Sequence, residues 1–365
     1  MNILYSINMF VLSAIIGGHA HAFSYKTCGD KKIKWGSNSK TLHASKTSFP
    51  SGYWENGIRD TVNAFNRNPS KFRFNVSMDS GGVGRSNGQS EIWGWPGSKI
   101  GDAPAVAYQR WSCYWFFGWR SGMKEVDVIY NYDAPFRWTA STSKNDLIRY
   151  KGTKRSLQTT GAHELGHGLI LNHVNTEYNV MGADFEHIHV NGSTARAYIG
   201  EDAADGATFI YGNRGGWQDL AVVHWKYSGA SGEYSDHTKT VIYNAKGGIL
   251  PTVNVDGETG FRVNRGDWVQ VEFTFENNGS NTQTADVGYF LSTNDYISTW
   301  DRRITGSSLT LSRDNVFTSS KWFRIPTDIT AGRNYWIGAV IDENNSVSEA
   351  VEQNNATYIP VFVQS

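Results

Sequence analysis

The chain has 365 residues, and its 34 Lys and Arg balance its 34 Asp and Glu. Zero net charge argues against a polyanionic partner, so nucleic acid is not expected. The length suggests two domains, 14 Trp supply apolar area for their cores, and no segment approaches the roughly 20 apolar residues of a membrane-spanning helix.

Residues 1–22 read as a secretory signal peptide. Met9 to Ile16 is a short apolar run, and Ala20-His21-Ala22 offers a small-residue cleavage site before Phe23. Export makes the chain secreted, and in a secreted chain two cysteines pair, which predicts a Cys28–Cys113 disulfide. Lys34-Trp35 is read as the start of a first strand. Trp54, Ile58, Val62 and Phe65 recur at helical spacing and predict a helix over 53–67. Phe72 to Val76, Ser90 to Trp95 and Val126 to Asn131 read as strands. The loop 79–88 is Gly-rich but lacks the strand-turn-helix setting of a phosphate cradle. Asp79 with backbone carbonyls is a candidate Ca²⁺ site there. Trp93, Trp95, Trp111, Trp115 and Trp119 crowd one stretch, as a stacking surface for sugar or peptide or as sheet packing.

A helix over 156–169 carries His163, Glu164 and His167. Four residues apart, the two imidazoles leave one helix face one turn apart and can grip one Zn²⁺ at about 2.0–2.1 Å. Glu164 beside them is placed to take a proton from an attacking water. His173 follows six residues later. A continuous helix would carry it roughly 120° off the ligand face, so the helix has to end near Leu169. His187 and His189 form an H-x-H that either binds a second, structural metal or sits as satisfied loop histidines. After a linker at 213–216, short alternating runs separated by Asn, Asp and Gly turns predict an antiparallel β-sandwich. The Asn-rich stretch 342–355 is either a second Ca²⁺ candidate or a solvated turn.

The order His163-Glu164-x-x-His167-x-x-x-x-x-His173 with Met181 downstream resembles the metzincin zinc-peptidase signature and its Met-turn. Residues 202–212 resemble the closing helix of matrixin-type domains. The resemblance implies one catalytic Zn²⁺ on His163, His167 and His173, Glu164 as general base, and Met181 as an apolar floor. Two positions depart from it. Ile170 stands where the family has Gly to leave the helix, so Ile170 is expected in ordinary backbone space as a packing residue, with the turn at Asn172, which tolerates the left-handed region better. Ala183 stands where some metzincins add a Tyr ligand. Cys28-Gly29-Asp30 also loosely resembles the matrixin pro-segment thiol, a rival to the disulfide. Residues 217–363 resemble the CARDB family of Ig-like adhesion-type modules, through Asp219 to Val223, Arg265 to Val271, Asn277 to Ser280, Gly288 to Thr293 and Ile341 to Asn355; 228–250 fit poorly and read as an insertion.

These resemblances imply an α+β zincin-like catalytic domain over 23–213, a twisted mixed sheet with long helices, followed by an all-β Ig-like sandwich over 214–365. The expected function is a secreted zinc endopeptidase acting on proteins and peptides, the sandwich taking a cell-surface or matrix ligand. The alternatives are an adhesin in which the sandwich carries the function, and a zinc hydrolase of a non-peptide amide. A catalytic half ending near Gly212 is expected to fold alone.

Overall fold

The computed structural model describes residues 23–80, 82–133, 136–174, 180–182, 187–227, 237–313 and 315–364. The signal segment 1–22, Ala183 and residues 228–236 of the expected insertion lie outside the described residues. Among the described residues no helix is long and apolar enough to cross a membrane.

The first half is built on a five-stranded sheet of β1 (Ser39–Ser45), β2 (Arg73–Ser80), β3 (Glu91–Trp95), β4 (Ala105–Trp115) and β5 (Trp119–Asn131), in the order β2-β1-β3-β5-β4. Four strands run parallel and β4 closes the edge antiparallel to β5. Along β5 successive side chains alternate between faces. Val126, Val128 and Tyr130 join the main core, while Ile129 packs with Trp93 and Ile100 on the other face. Three helices contribute to the main core. In α1 (Gly52–Asn66) Ile58, Val62 and Phe65 are buried at helical spacing. The four-residue α2 (Gly97–Ile100) is peripheral, α3 (Leu157–Gly168) is buried almost all round, and α4 (Gly200–Tyr211) places Ala203, Ala207 and Ile210 in the same core.

The expectation of an α+β zincin fold with long helices is overturned. Among the described residues the protein is mostly β, 46% strand and 14% helix with four short helices. The sequence reading assigned no element to β4 or to the N-terminal part of β5. Both strands run past the sheet body as a hairpin, which adds strand. No strand forms at Lys34-Trp35; Trp35 instead donates its indole N–H to the Gly168 carbonyl at 3.0 Å. The expected disulfide Cys28–Cys113 is formed, which removes the Cys28 thiol from any role as a metal cap. Trp93 is buried, whereas Trp115, Phe116 and Phe117 at the hairpin tip are exposed, Phe117 by 90%. The packing reading therefore suits one end of the Trp cluster and the exposed-surface reading the other.

After two strands, β6 (Ile188–Asn191) and β7 (Thr194–Ala197), the second half is a sandwich. One sheet has six strands: β10 (Thr252–Val255), β11 (Glu258–Asn264), β17 (Ala356–Gln364), β16 (Arg333–Ile341), β13 (Gln283–Ser292) and β14 (Arg302–Leu311), paired in that order. In the other, β12 (Trp268–Asn277) pairs with β15 (Asn315–Arg324) on one side, and with β8 (Leu220–Val223) and β9 (Ile242–Asn244) on the other. Val269, Val271, Phe273 and Phe275 recur every second residue and meet Ile337, Ala339 and Ile341 between the sheets.

A further core joins the halves. Leu147, Ile188, Val190 and Ala195 of the first pack with Val255, Phe290, Ile297, Trp336, Val340 and Tyr358 of the second. Beside it the buried Lys144 ammonium lies 2.6 Å from Glu258 Oε1 and 2.6 Å from Asp295 Oδ2, and also donates to the Tyr358 hydroxyl. The linker is fixed as well: Arg214 N–H donates to the Pro69 carbonyl and the Asn213 side chain bonds Ser280.

Candidate metal centre

Helix α3 starts at Ser156, whose hydroxyl accepts from the Thr159 N–H at 3.3 Å. It ends in a Schellman pattern: Ile170 N–H bonds the His167 carbonyl at 2.8 Å and Leu171 N–H the Gly166 carbonyl at 3.1 Å. That pattern needs a left-handed residue at Ile170, and its φ is 70°. The expected turn at Asn172 is thus corrected. Ile170 takes a conformation that favours glycine, its side chain fully buried. The chain beyond is held against the N-terminal segment, with Lys26 N–H on the Ile170 carbonyl and Asn172 N–H on the Ser24 carbonyl.

This turn swings His173 back over the helix. Its Nε2 stands 3.0 Å from His163 Nε2 and 3.2 Å from His167 Nε2. His163 Nδ1 donates to the Val180 carbonyl at 2.6 Å and His167 Nδ1 to the Leu171 carbonyl at 2.7 Å. Each Nδ1 faces a carbonyl and so carries the proton, which turns the Nε2 lone pairs of both rings toward His173. Lone pairs this close repel unless a cation lies among them. Tetrahedral ligands at about 2.0–2.1 Å from Zn²⁺ stand about 3.3 Å apart, so the donor set fits zinc. Burial, then the neighbouring rings, push His167 down to about 4 and His163 well below its ordinary value, so both are neutral and ready to ligate at pH 7.

Glu164 is buried beside the ligands. Burial raises its carboxyl to about 8, against a lowering bond from the Ala107 amide of β4; a divalent cation nearby would draw it down again. Met181 lies under the helix with its Sδ against Gly166, where a Cβ would come within 2.2 Å of the sulfur. Ala107, Gly166 and Gln109, whose side chain donates to the His167 carbonyl, escaped the sequence reading. Gly166 alone had a signal, a glycine inside a helix.

The Ca²⁺ candidates sit elsewhere. Asp79 accepts from Ser77 and lies 2.8 Å from His43 Nδ1. Asp342 accepts from Ser346 and Val347 N–H, closing a turn. Under the 79–88 loop, Glu91, Glu125 and Asp127 are all buried; Gly84 N–H donates to Glu91, the Asn87 and Gly88 N–H groups to Glu125, and Glu91 N–H to Asp127. Burial first, then Glu125, pushes Asp127 up to about 8.

No family profile matches the chain. No curated protein does either. Among solved structures it is similar to a CARDB domain from Pyrococcus furiosus, crystallised in complex with di-metal ions, at 17% identity over 40% of this chain and 90% of that one, TM-score 0.25. It is also similar to a Niemann-Pick type C2 protein from Japanese carpenter ant, at 11% identity over 34% and 93%, TM-score 0.22. Wild-type OgpA from Akkermansia muciniphila aligns over 92% of this chain and 96% of its own, at 10% identity and TM-score 0.21.

Proposed function

We propose that the chain is a secreted zinc-dependent endopeptidase of the metzincin type, hydrolysing extracellular proteins. The observation that carries this reading is the convergence of three imidazole Nε2 atoms beside a buried carboxyl, two of the rings locked in the ligating tautomer. His163, His167 and His173 would hold Zn²⁺, which when bound polarises a scissile carbonyl and makes water more acidic. Glu164 takes the proton of the attacking water and delivers it to the leaving amine. The Ala107 amide orients its carboxylate. The outer edge of β4 runs past this carboxyl and offers backbone groups to an extended peptide.

Casein hydrolysis by the purified chain, with and without chelator, tests the reading. We expect loss on chelation, recovery with Zn²⁺, and a drop of roughly 10²–10⁴ in Glu164→Gln with zinc retained. A Glu164→Gln variant within about tenfold of the parent would assign the proton transfer to another group.

A further inference from the structure

We propose that His187, His189 and Glu276 form a second metal centre, for a divalent transition cation such as Zn²⁺, which clamps the first half of the chain to the sandwich. His187 and His189 flank Ile188 at the start of β6, so strand geometry sends both imidazoles to one face while Ile188 and Val190 enter the joint core. Glu276 meets them from β12. All three side chains are buried, and their donor atoms lie within 4.8 Å of one another.

Hydrogen bonding within the cluster is incomplete in a way a cation would complete. His187 Nδ1 faces the Tyr198 carbonyl at 3.2 Å and so carries the proton, aiming its Nε2 lone pair at Glu276 Oε1, 2.8 Å away. Two acceptors at that distance need a proton or a metal between them. A protonated His187 would satisfy that pair and still leave His189. Neither nitrogen of the His189 ring has a hydrogen-bond partner. Its Nε2 is 3.8 Å from Glu276 Oε2, too far to bond and near the span of two ligands about one ion. The Val222 carbonyl lies beside the ring but outside bonding geometry.

The surroundings suit a ligand set. Burial lowers His189 to about 3, so its ring stays neutral. Burial raises the Glu276 carboxyl, but the His187 ring and the Asn278 amide outweigh it and hold it below its ordinary value. Asn278 Nδ2 holds Oε2 from behind at 3.3 Å. A cleft of about 750 Å³ between the halves is lined in part by His189. Two imidazoles with one carboxylate favour a zinc-class ion over Ca²⁺, which takes oxygen ligands.

The test separates the two centres. The full chain carrying His163→Ala and His167→Ala is stripped with chelator, dialysed against Zn²⁺ and analysed for metal, with circular dichroism as the control for fold. We expect about one Zn²⁺ per chain in this variant, and none when His189→Phe, which keeps ring volume, or Glu276→Gln is added. Zn²⁺ should also raise the melting temperature of the double variant and leave that of the added-substitution variants unchanged. A folded double variant without zinc would overturn the proposal. So would zinc that persists through both added substitutions.

Discussion

Ile170 is the one β-branched residue that the site holds at a left-handed turn, a conformation costing an L-residue about 1–2 kcal/mol. Its buried side chain offsets that cost, because Ile→Ala truncation in a core loses about 2–5 kcal/mol. Both Ile170→Ala and Ile170→Gly should therefore be less stable than the parent in denaturant unfolding. Of the two, Gly should be the more stable by on the order of 1 kcal/mol, since only Gly is free of the left-handed penalty. The reverse order would place the turn elsewhere. Gly166 is under a different constraint. A methyl there meets the Met181 sulfur and displaces the neighbouring Val180 carbonyl that fixes the His163 ring. Gly166→Ala should cost about 10–100-fold in zinc affinity, read by competition with a chromophoric chelator. At this scale the convergence of the three imidazoles was legible in part, since helical spacing fixes where His163 and His167 point. The turn residue was not. Propensity disfavours Ile in that conformation, and only the hydrogen bonds to Gly166 and His167, with tertiary burial, override it.

Among elements, the hairpin of β4 and β5 was least legible. Charged and aromatic residues at its far end follow no clean alternation, because that end leaves the core and faces water on both sides. Its inner end brings Ala107 and Gln109 to α3, a contact no local pattern announces. The inner part of β5 also carries Asp127 against Glu91 and Glu125. A carboxyl whose folded pKa is raised to about 8 contributes stability that is fully present below the unfolded value near 3.9 and is lost as pH rises through 8. Asp127→Asn should flatten that loss. Thermal melting should show the variant gaining on the parent above pH 8 and no advantage near pH 4. An equal gain at both ends would mean that packing, not ionisation, sets the difference.

For the whole molecule, the β-sandwich was readable from the sequence, because strand-and-turn alternation begins after 213. The joint between the parts was not, since its members are single residues scattered from Leu147 to Tyr358. It revises the expectation of an autonomous first half. A chain ending at Gly212 would bare Leu147, Ile188 and Val190 and leave Lys144 without Glu258, Asp295 and Tyr358. We expect such a fragment to be insoluble or molten by near-ultraviolet dichroism; a fragment that melts cooperatively would show the joint to be dispensable. In the full chain, Lys144→Ala leaves buried carboxylate uncompensated and should cost about 3–5 kcal/mol, measured by denaturant unfolding.

The same joint imposes an order of events. Lys144 and Tyr358 are 214 residues apart in sequence. Synthesis supplies residues at roughly 5–20 per second. For on the order of ten seconds or more, then, the ammonium exists without the strand that receives it. Contacts of such long range are made late, after the loop between them has been closed. The histidine cluster of α3 can form early from neighbouring segments, but the half that carries it cannot become rigid until β17 docks. On the peptidase reading proposed above, competence to cut would arrive only with the last strand, and a nascent chain would pass most of its synthesis unable to attack its own unfolded remainder.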